Sequence, residues 1–142
     1  MAAGRPILSV PPNLERIDAK QVLVAWKDTR EARRAVWDSL PLLRRAESVV
    51  VATMGDEADR GSAADVSAYL SAHGVKGALA VVLEPNYGST EEAEPLMMFA
   101  QAEGAGLIVA GAYGHNRVRE WLFGGVTRNL LRHAPMPCLL TH

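Results

Sequence analysis

Short runs of apolar, often β-branched residues alternate along this chain with amphipathic stretches, and this alternation restricts the folds open to it. Val22–Trp26 and Ser48–Thr53 are apolar at nearly every position, as in strands that are buried on both faces. Between them, Thr29–Ala46 carries apolar residues at helical spacing. Strands separated by helices predict a parallel sheet with helices on both faces. We therefore expect a three-layer α/β fold.

The same patterns predict a five-stranded parallel sheet, four helices and one extra strand near the N-terminus. The expected strands are Val22–Trp26, Ser48–Thr53, Gly77–Leu83, Leu107–Gly111 and Pro137–Thr141. Three expected helices are Thr29–Ala46, about Ala63–His73 and about Gly125–His133. Another ends near Gly104, and it begins either after Ser89, which has capping-box spacing with Glu92, or nearer Ala93, where Pro95 would be tolerated best. Either Asp28 or Thr29 could cap the first helix, and Pro41 is expected to kink or restart it.

Composition excludes several classes of function. The 142 residues correspond to one domain at roughly 150 residues per domain, and we assign residues 1–20 to an arm and 21–142 to an α/β domain. A net charge of −1 gives no electrostatic case for nucleic acid or a membrane surface. No apolar run is long enough to span a membrane. One cysteine excludes an intrachain disulfide, and the histidines have no metal-ligand spacing. We expect a cytoplasmic protein without a metal.

A glycine-rich segment follows the fourth expected strand. Gly111 and Gly114 come at its carboxyl end, and Gly124 and Gly125 precede the last expected helix. Parallel sheets bind ligands beyond the carboxyl ends of their strands, and glycine turns and helix N-termini offer amides to phosphates. Charge at the rim could come from His115, Arg117 and Arg119. The alternative is that these glycines only form tight turns.

This segment resembles the signature of the universal stress protein family, which is Gly, two residues, Gly, nine residues, Gly, then Ser or Thr. Gly111, Gly114 and Gly124 match that spacing. The ending Arg132–Leu140 and the opening around Val22–Ala32 are also similar to the family. The resemblance implies a five-stranded parallel sheet, a dimer and, in the motif-bearing branch, ATP binding.

The resemblance and the rim charges together define the candidate ligand-binding residues. They are Ala25, Trp26, Lys27, Asp28, Gly111, Gly114, His115, Arg117, Gly124, Gly125 and Thr127. Two positions depart from the family pattern, because Lys27 stands where an Asp is usual and Gly125 where the ATP-binding branch has Ser or Thr. Lysine cannot accept a hydrogen bond from a ribose hydroxyl. Trp26 could be either a core aromatic or a shelf for adenine.

The N-terminal arm is expected to take part in assembly. Pro6–Val10 is similar to Pro137–Thr141, since each is a proline followed by a short apolar strand, although so short a match can arise by chance. The resembled family dimerises through its last strand. We expect Pro137–Thr141 to be an edge strand that pairs antiparallel with Ile7–Val10, in its own chain or in a homodimer partner. The arm would then resemble the end of an upstream domain in a tandem member of the family.

Two functions remain open at this stage. The first is a nucleotide-binding regulator of the stress response, and the second is a dimerising interaction module of the same fold whose nucleotide site has decayed. The sequence offers no catalytic residue, so a slow ATP hydrolase ranks last.

Overall fold

Alternation of strands and helices along the chain is confirmed. The computed structural model describes residues 5–84, 93–112 and 120–142, and the side chains of all of these except 120–124. The strands are β1 (Ile7–Ser9), β2 (Gln21–Ala25), β3 (Ser48–Thr53), β4 (Ala78–Val82), β5 (Leu107–Gly111) and β6 (Cys138–Thr141). The helices are α1 (Arg30–Leu43), α2 (Glu57–Ala72), α3 (Glu94–Ala102) and α4 (Glu120–His133).

One sheet contains all six of these strands, in the order β1-β6-β5-β2-β3-β4. The pairs from β6 to β4 are parallel, which confirms the expected five-stranded parallel sheet. β1 pairs antiparallel with β6 of its own chain, with Leu8 opposite Leu139. Of the two expected arrangements, pairing within one chain or with a partner, the structure has the first, so β1 covers the edge that β6 would otherwise form. The antiparallel pairing of the arm was correct.

Helices cover both faces of the sheet, as predicted. On one face, α1 and α2 bury alternate strand residues such as Val24, Val51 and Val109. On the other face, α3 and α4 pack against the intervening residues, such as Leu23 and Ile108. Successive residues of a strand point to opposite faces of the sheet, and here both faces are buried by helices. Both sets of side chains must therefore be apolar, which explains the continuous apolar runs. Among the described residues, no helix combines the length and the apolarity needed to cross a membrane.

Thr29, rather than Asp28, caps α1. The Thr29 hydroxyl accepts a hydrogen bond from the Ala32 amide at 3.2 Å, as an N-cap side chain does. Pro41 neither ends nor restarts the helix, which continues to Leu43. Proline has no amide hydrogen, so the Trp37 carbonyl loses the donor that residue 41 would otherwise supply inside the helix.

The predicted start of α2 at Ala63 is wrong, because the helix begins at Glu57. Asp56 accepts hydrogen bonds from the Ala58 and Asp59 amides, and the Asp59 side chain accepts from the Asp56 amide. This capping box fixes the start of the helix. Gly61 lies inside the helix, although the expected start at Ala63 left it outside.

Candidate functional site

The strands reverse their order in the sheet between β2 and β5. From β2 the chain adds β3 and β4 on one side, and β5 and β6 then follow on the other. β2 and β5 are neighbours, with Ala25 opposite Ala110, so the residues after each strand lie at the same end of the sheet. Open α/β sheets bind ligands in the crevice at such a switch point. The structure therefore brings the predicted segment Ala25–Asp28 close to Gly111 and the residue after it, at the carboxyl ends of β2 and β5.

Gly111 has a packing role that the sequence does not reveal. A Cβ atom at this position would lie 2.5 Å from the Ala32 nitrogen and 2.7 Å from the carbonyl carbon of Glu31. The first turn of α1 thus rests directly on the end of β5, and only glycine leaves room for it. On the α1 side of the sheet this contact leaves no room for a ligand beside Gly111.

Trp26 lies in the core between the sheet and α2. Its side chain is only 6% exposed, and it packs in the same apolar cluster as α1 and α2. The indole Nε1 donates a hydrogen bond to the Ser62 hydroxyl of α2 at 2.9 Å, so its polar group is satisfied. Of the two interpretations left open, the structure supports the core aromatic.

The residues that follow Trp26 turn into α1. Lys27 is partly buried, and its carbonyl accepts a hydrogen bond from the Thr29 amide at 2.7 Å. Asp28 is exposed and accepts a hydrogen bond from Arg33 Nε at 2.8 Å, with Nη2 at 2.6 Å from the same oxygen. An ion pair this exposed adds little stability, but it engages the carboxylate that follows Lys27 in the sequence. Ala25 ends β2 and packs against the α3 and α4 layer.

The predicted helix start at Gly125 is wrong, because α4 begins at Glu120. The amides of Gly124 and Gly125 therefore come after the first four of the helix, which are those without an intrahelical partner. They are not free to bind a phosphate in the way that was expected. Thr127 lies one turn further along and is buried. Gly114, His115 and Arg117 lie outside the described residues.

Sequence reasoning missed three buried polar groups at this end of the sheet. The hydroxyls of Thr53 and Thr141 end β3 and β6, and neither has a hydrogen-bond partner among the described residues. Glu31, in the first turn of α1, is only 8% exposed. A buried polar group without a partner is costly, and a threonine that ends an apolar strand is the signal that could have pointed to the two hydroxyls. In the described part of the chain no three acidic, histidine or cysteine side chains form a metal site.

Cys138 is a packing residue in β6. It is 1% exposed, and its thiol lies 3.6 Å from the Met136 carbonyl oxygen, to which it donates. Burial raises the pKa of the Cys138 thiol from 9.0 to about 12. Because the thiolate is the reactive form, the folded protein keeps this thiol inert at neutral pH.

We expect thiol reagents to modify Cys138 about a thousandfold more slowly in the folded chain than in urea, from the difference in thiolate content. Below pH 9 the Cys138 thiol keeps its proton in both the folded and the unfolded chain. Between pH 9 and about 12 only the unfolded state loses it, so the free energy of unfolding falls as the pH rises. Urea unfolding across that range should lose this slope in Cys138→Ala. Equal reaction rates in the two states would contradict the burial of the thiol.

Several solved structures share this fold. Universal stress protein UspA from Lactobacillus plantarum superposes with a TM-score of 0.68 at 14% identity, covering 89% of this chain and 100% of that one. A universal stress protein in complex with cAMP gives a TM-score of 0.66 at 20% identity, covering 88% and 98%. A universal stress protein from Archaeoglobus fulgidus gives 0.65 at 16% identity and covers 86% of this chain. The present chain spans only 43% of that last protein.

Sequence comparison assigns the family. No curated protein sequence matches the chain significantly, and the solved structures, at these identities, establish the fold alone. The model of the universal stress protein family matches residues 19–142, which include β2 to β6 and all four described helices. With most of its length matched, the chain belongs to the universal stress protein family, a membership that supports a function of the stress-response type.

Proposed function

We propose that this chain is a stress-response regulator that binds an adenine nucleotide at the crevice between β2 and β5. The observation that carries the proposal is the switch point itself, where the ends of β2 and β5 lie side by side with Ala25 opposite Ala110. Crevices of this kind are the usual ligand sites of open α/β sheets. A structure of the same fold holds cAMP, which supports a nucleotide as the class of ligand.

The packing of α1 limits where the ligand would lie. The first turn of α1 lies against Gly111, so the crevice is filled by backbone on the face of α1 and α2. The opposite face carries small side chains at this end of the sheet, namely Ala25, Ala110 and Ala112. Because Ala110 and Ala112 are themselves buried, we assign the ligand to the space beyond the carboxyl ends of β2 and β5 rather than to either face of the sheet. Gly114, His115 and Arg117 remain the proposed phosphate contacts.

A second candidate function has a specific observation in its favour. α4 begins at Glu120, so Gly124 and Gly125 no longer offer free amides, and Lys27 replaces the usual acceptor of the ribose. A site that has lost both contacts suits an interaction module of the same fold, without a nucleotide. The two candidates differ in whether the purified chain binds ATP or cAMP.

Calorimetric titration with ATP and with cAMP tests the proposal. We expect heat of binding from the native chain and about ten- to a hundredfold tighter binding in Lys27→Asp, because a hydrogen bond to a charged acceptor contributes about 1.5 to 3 kcal/mol. The control is Lys76→Asp, which makes the same change of charge at an exposed residue before β4 and should leave the affinity unchanged.

Gly114→Val should abolish binding, because its side chain would occupy the space a phosphate needs beside the glycine turn. Absence of heat from the native chain at millimolar ATP and cAMP would favour the interaction module. Equal tightening by Lys27→Asp and Lys76→Asp would mean that position 27 does not face the ligand.

A further inference from the structure

The outer side of α1 carries arginines on either side of an exposed tryptophan. Trp37 is 64% exposed, although large aromatic side chains are mostly buried. Helical residues three, four and seven apart lie on one side of a helix, and at these distances from Trp37 stand four arginines and a proline. With the two exposed residues that border this side they form what we call the α1 stripe, which consists of Arg30, Arg33, Arg34, Trp37, Pro41, Leu42, Arg44 and Arg45.

The arginines near the start of α1 oppose the electrostatics of the helix. The N-terminal end of a helix carries a partial positive charge and favours acidic side chains, whereas Arg30, Arg33 and Arg34 place cations in the first two turns. Arg30 and Arg34 also form a like-charged pair four residues apart, which weakens a helix. The acidic residue of the first turn, Glu31, is buried. The helix gains no stability from these charges, which are available to a partner.

The chain neutralises only part of this positive charge. Arg33 lies 2.6 Å from Asp28, and Arg34 lies 3.8 Å from Asp38. The stripe holds five arginines against these two carboxylates, so it keeps a net positive charge although the whole chain carries −1. Charge complementarity therefore favours an acidic partner.

The middle of the stripe is apolar. Trp37, Pro41 and Leu42 lie between the arginines of the first two turns and those that follow the helix. An apolar centre inside a polar rim is usual for a protein–protein interface, and Trp and Arg often dominate the binding energy. From Arg30 to Arg44 the stripe runs about 20 Å, at 1.5 Å per residue. A complementary surface has an apolar centre and carboxylates at both ends, about that distance apart.

Three other occupants fit this stripe less well. A second copy docked stripe to stripe about a twofold axis would bring arginines against arginines. A membrane would take up the apolar side of an amphipathic helix, and that side of α1 is buried against the sheet. A single-stranded nucleic acid needs cations along its backbone, whereas the centre of the stripe is apolar and is bordered by the carboxylate of Asp38.

We propose that the α1 stripe docks an acidic amphipathic segment of another protein, with an apolar side chain against Trp37 and carboxylates against the arginines at both ends. The basic residues of the stripe are all arginines, whose planar forks pair with carboxylates through two parallel hydrogen bonds. The stripe lies on the side of α1 opposite to the sheet, so docking does not require a nucleotide between β2 and β5.

Fluorescence anisotropy of a labelled synthetic peptide tests this site on the full chain. The probe has about 15 residues, enough to span the stripe as a helix, with leucines at its centre and glutamates in its first and last turns. We expect saturable binding. Trp37→Ala should raise the Kd by at least about tenfold, because a central tryptophan usually dominates such an interface. The matched control is Met98→Ala, at a 61% exposed position of α3 on the other face of the sheet, which should leave the Kd unchanged.

The role of charge is tested with a second matched pair. The side chains of Arg33 and Arg60 are both 64% exposed, and each lies beside a carboxylate. Arg33→Glu should raise the Kd of the probe at least about tenfold by placing like charges together, whereas Arg60→Glu, on α2, should not. Equal effects within either pair, or no saturable binding by the native chain, would overturn the proposal. Tighter binding of an oligouridine RNA than of the probe would also overturn it, in favour of a nucleic-acid partner.

Discussion

Gly111→Ala is expected to lower the free energy of unfolding by about 3 kcal/mol or more. The new methyl group would sit 2.5 Å from the Ala32 nitrogen and 2.7 Å from the carbonyl carbon of Glu31. Both are backbone atoms of a capped helix and cannot move aside as a flexible side chain could. Overpacking usually costs about 1 to 3 kcal/mol, and a clash with backbone belongs at the upper end of that range or beyond. Urea denaturation measures the change.

Gly61→Ala is the matched control for this prediction. No atom lies within 4 Å of the position that its Cβ would take, and the residue lies inside α2. Alanine there should stabilise the chain by about 0.5 to 1 kcal/mol, because it favours the helix more than glycine does. If both variants were equally stable, the close contact between α1 and β5 would be wrong.

Trp26→Ala is expected to have the other large effect, a loss of about 3 to 5 kcal/mol. The indole is 6% exposed, fills the space between the sheet and α2, and donates to the Ser62 hydroxyl. Its removal leaves a cavity and a hydroxyl without its donor. Ser62→Ala removes the hydrogen bond alone and should cost about 1 kcal/mol.

Trp37→Ala separates burial from residue type in the same measurement. Trp37 is 64% exposed, and its replacement should change stability by less than about 0.5 kcal/mol. A small effect of Trp26→Ala, similar to that of Trp37→Ala, would indicate that Trp26 is a surface group available to a ligand rather than part of the core.

The fold could be predicted from the sequence because its strands are buried on both faces. Runs such as Ser48–Thr53 have no amphipathic alternation, and that pattern identifies interior strands of a parallel sheet. Helix starts were harder to predict. α2 begins at Glu57, after the Asp56 cap. Its first six residues carry no apolar stripe and include Gly61, so the sequence pattern did not mark them as helical.

The candidate site could be predicted in its location but not in its detail. The apolar strands and the glycines at the end of β5 indicated the correct end of the sheet, because the position of the crevice depends on the order of the strands. The role of Gly111 depends on the contact between the first turn of α1 and the end of β5, and these two elements are separated by more than sixty residues of chain. A local sequence pattern cannot predict a contact between elements so far apart. The choice between core and shelf for Trp26 also needed the position of Ser62 on α2.

The β1–β6 ladder joins residues at opposite ends of the chain, with Ile7 opposite Leu140. Such a contact has the highest cost of loop closure and is expected to form late in folding, after the central strands have assembled. During synthesis, β1 leaves the ribosome well before β6 and must wait for it before it can pair. Once formed, the ladder fastens the N-terminal arm to the last strand of the sheet and protects both segments from local opening. Hydrogen exchange at Ile7 and Leu140, which lie opposite each other, should therefore slow together.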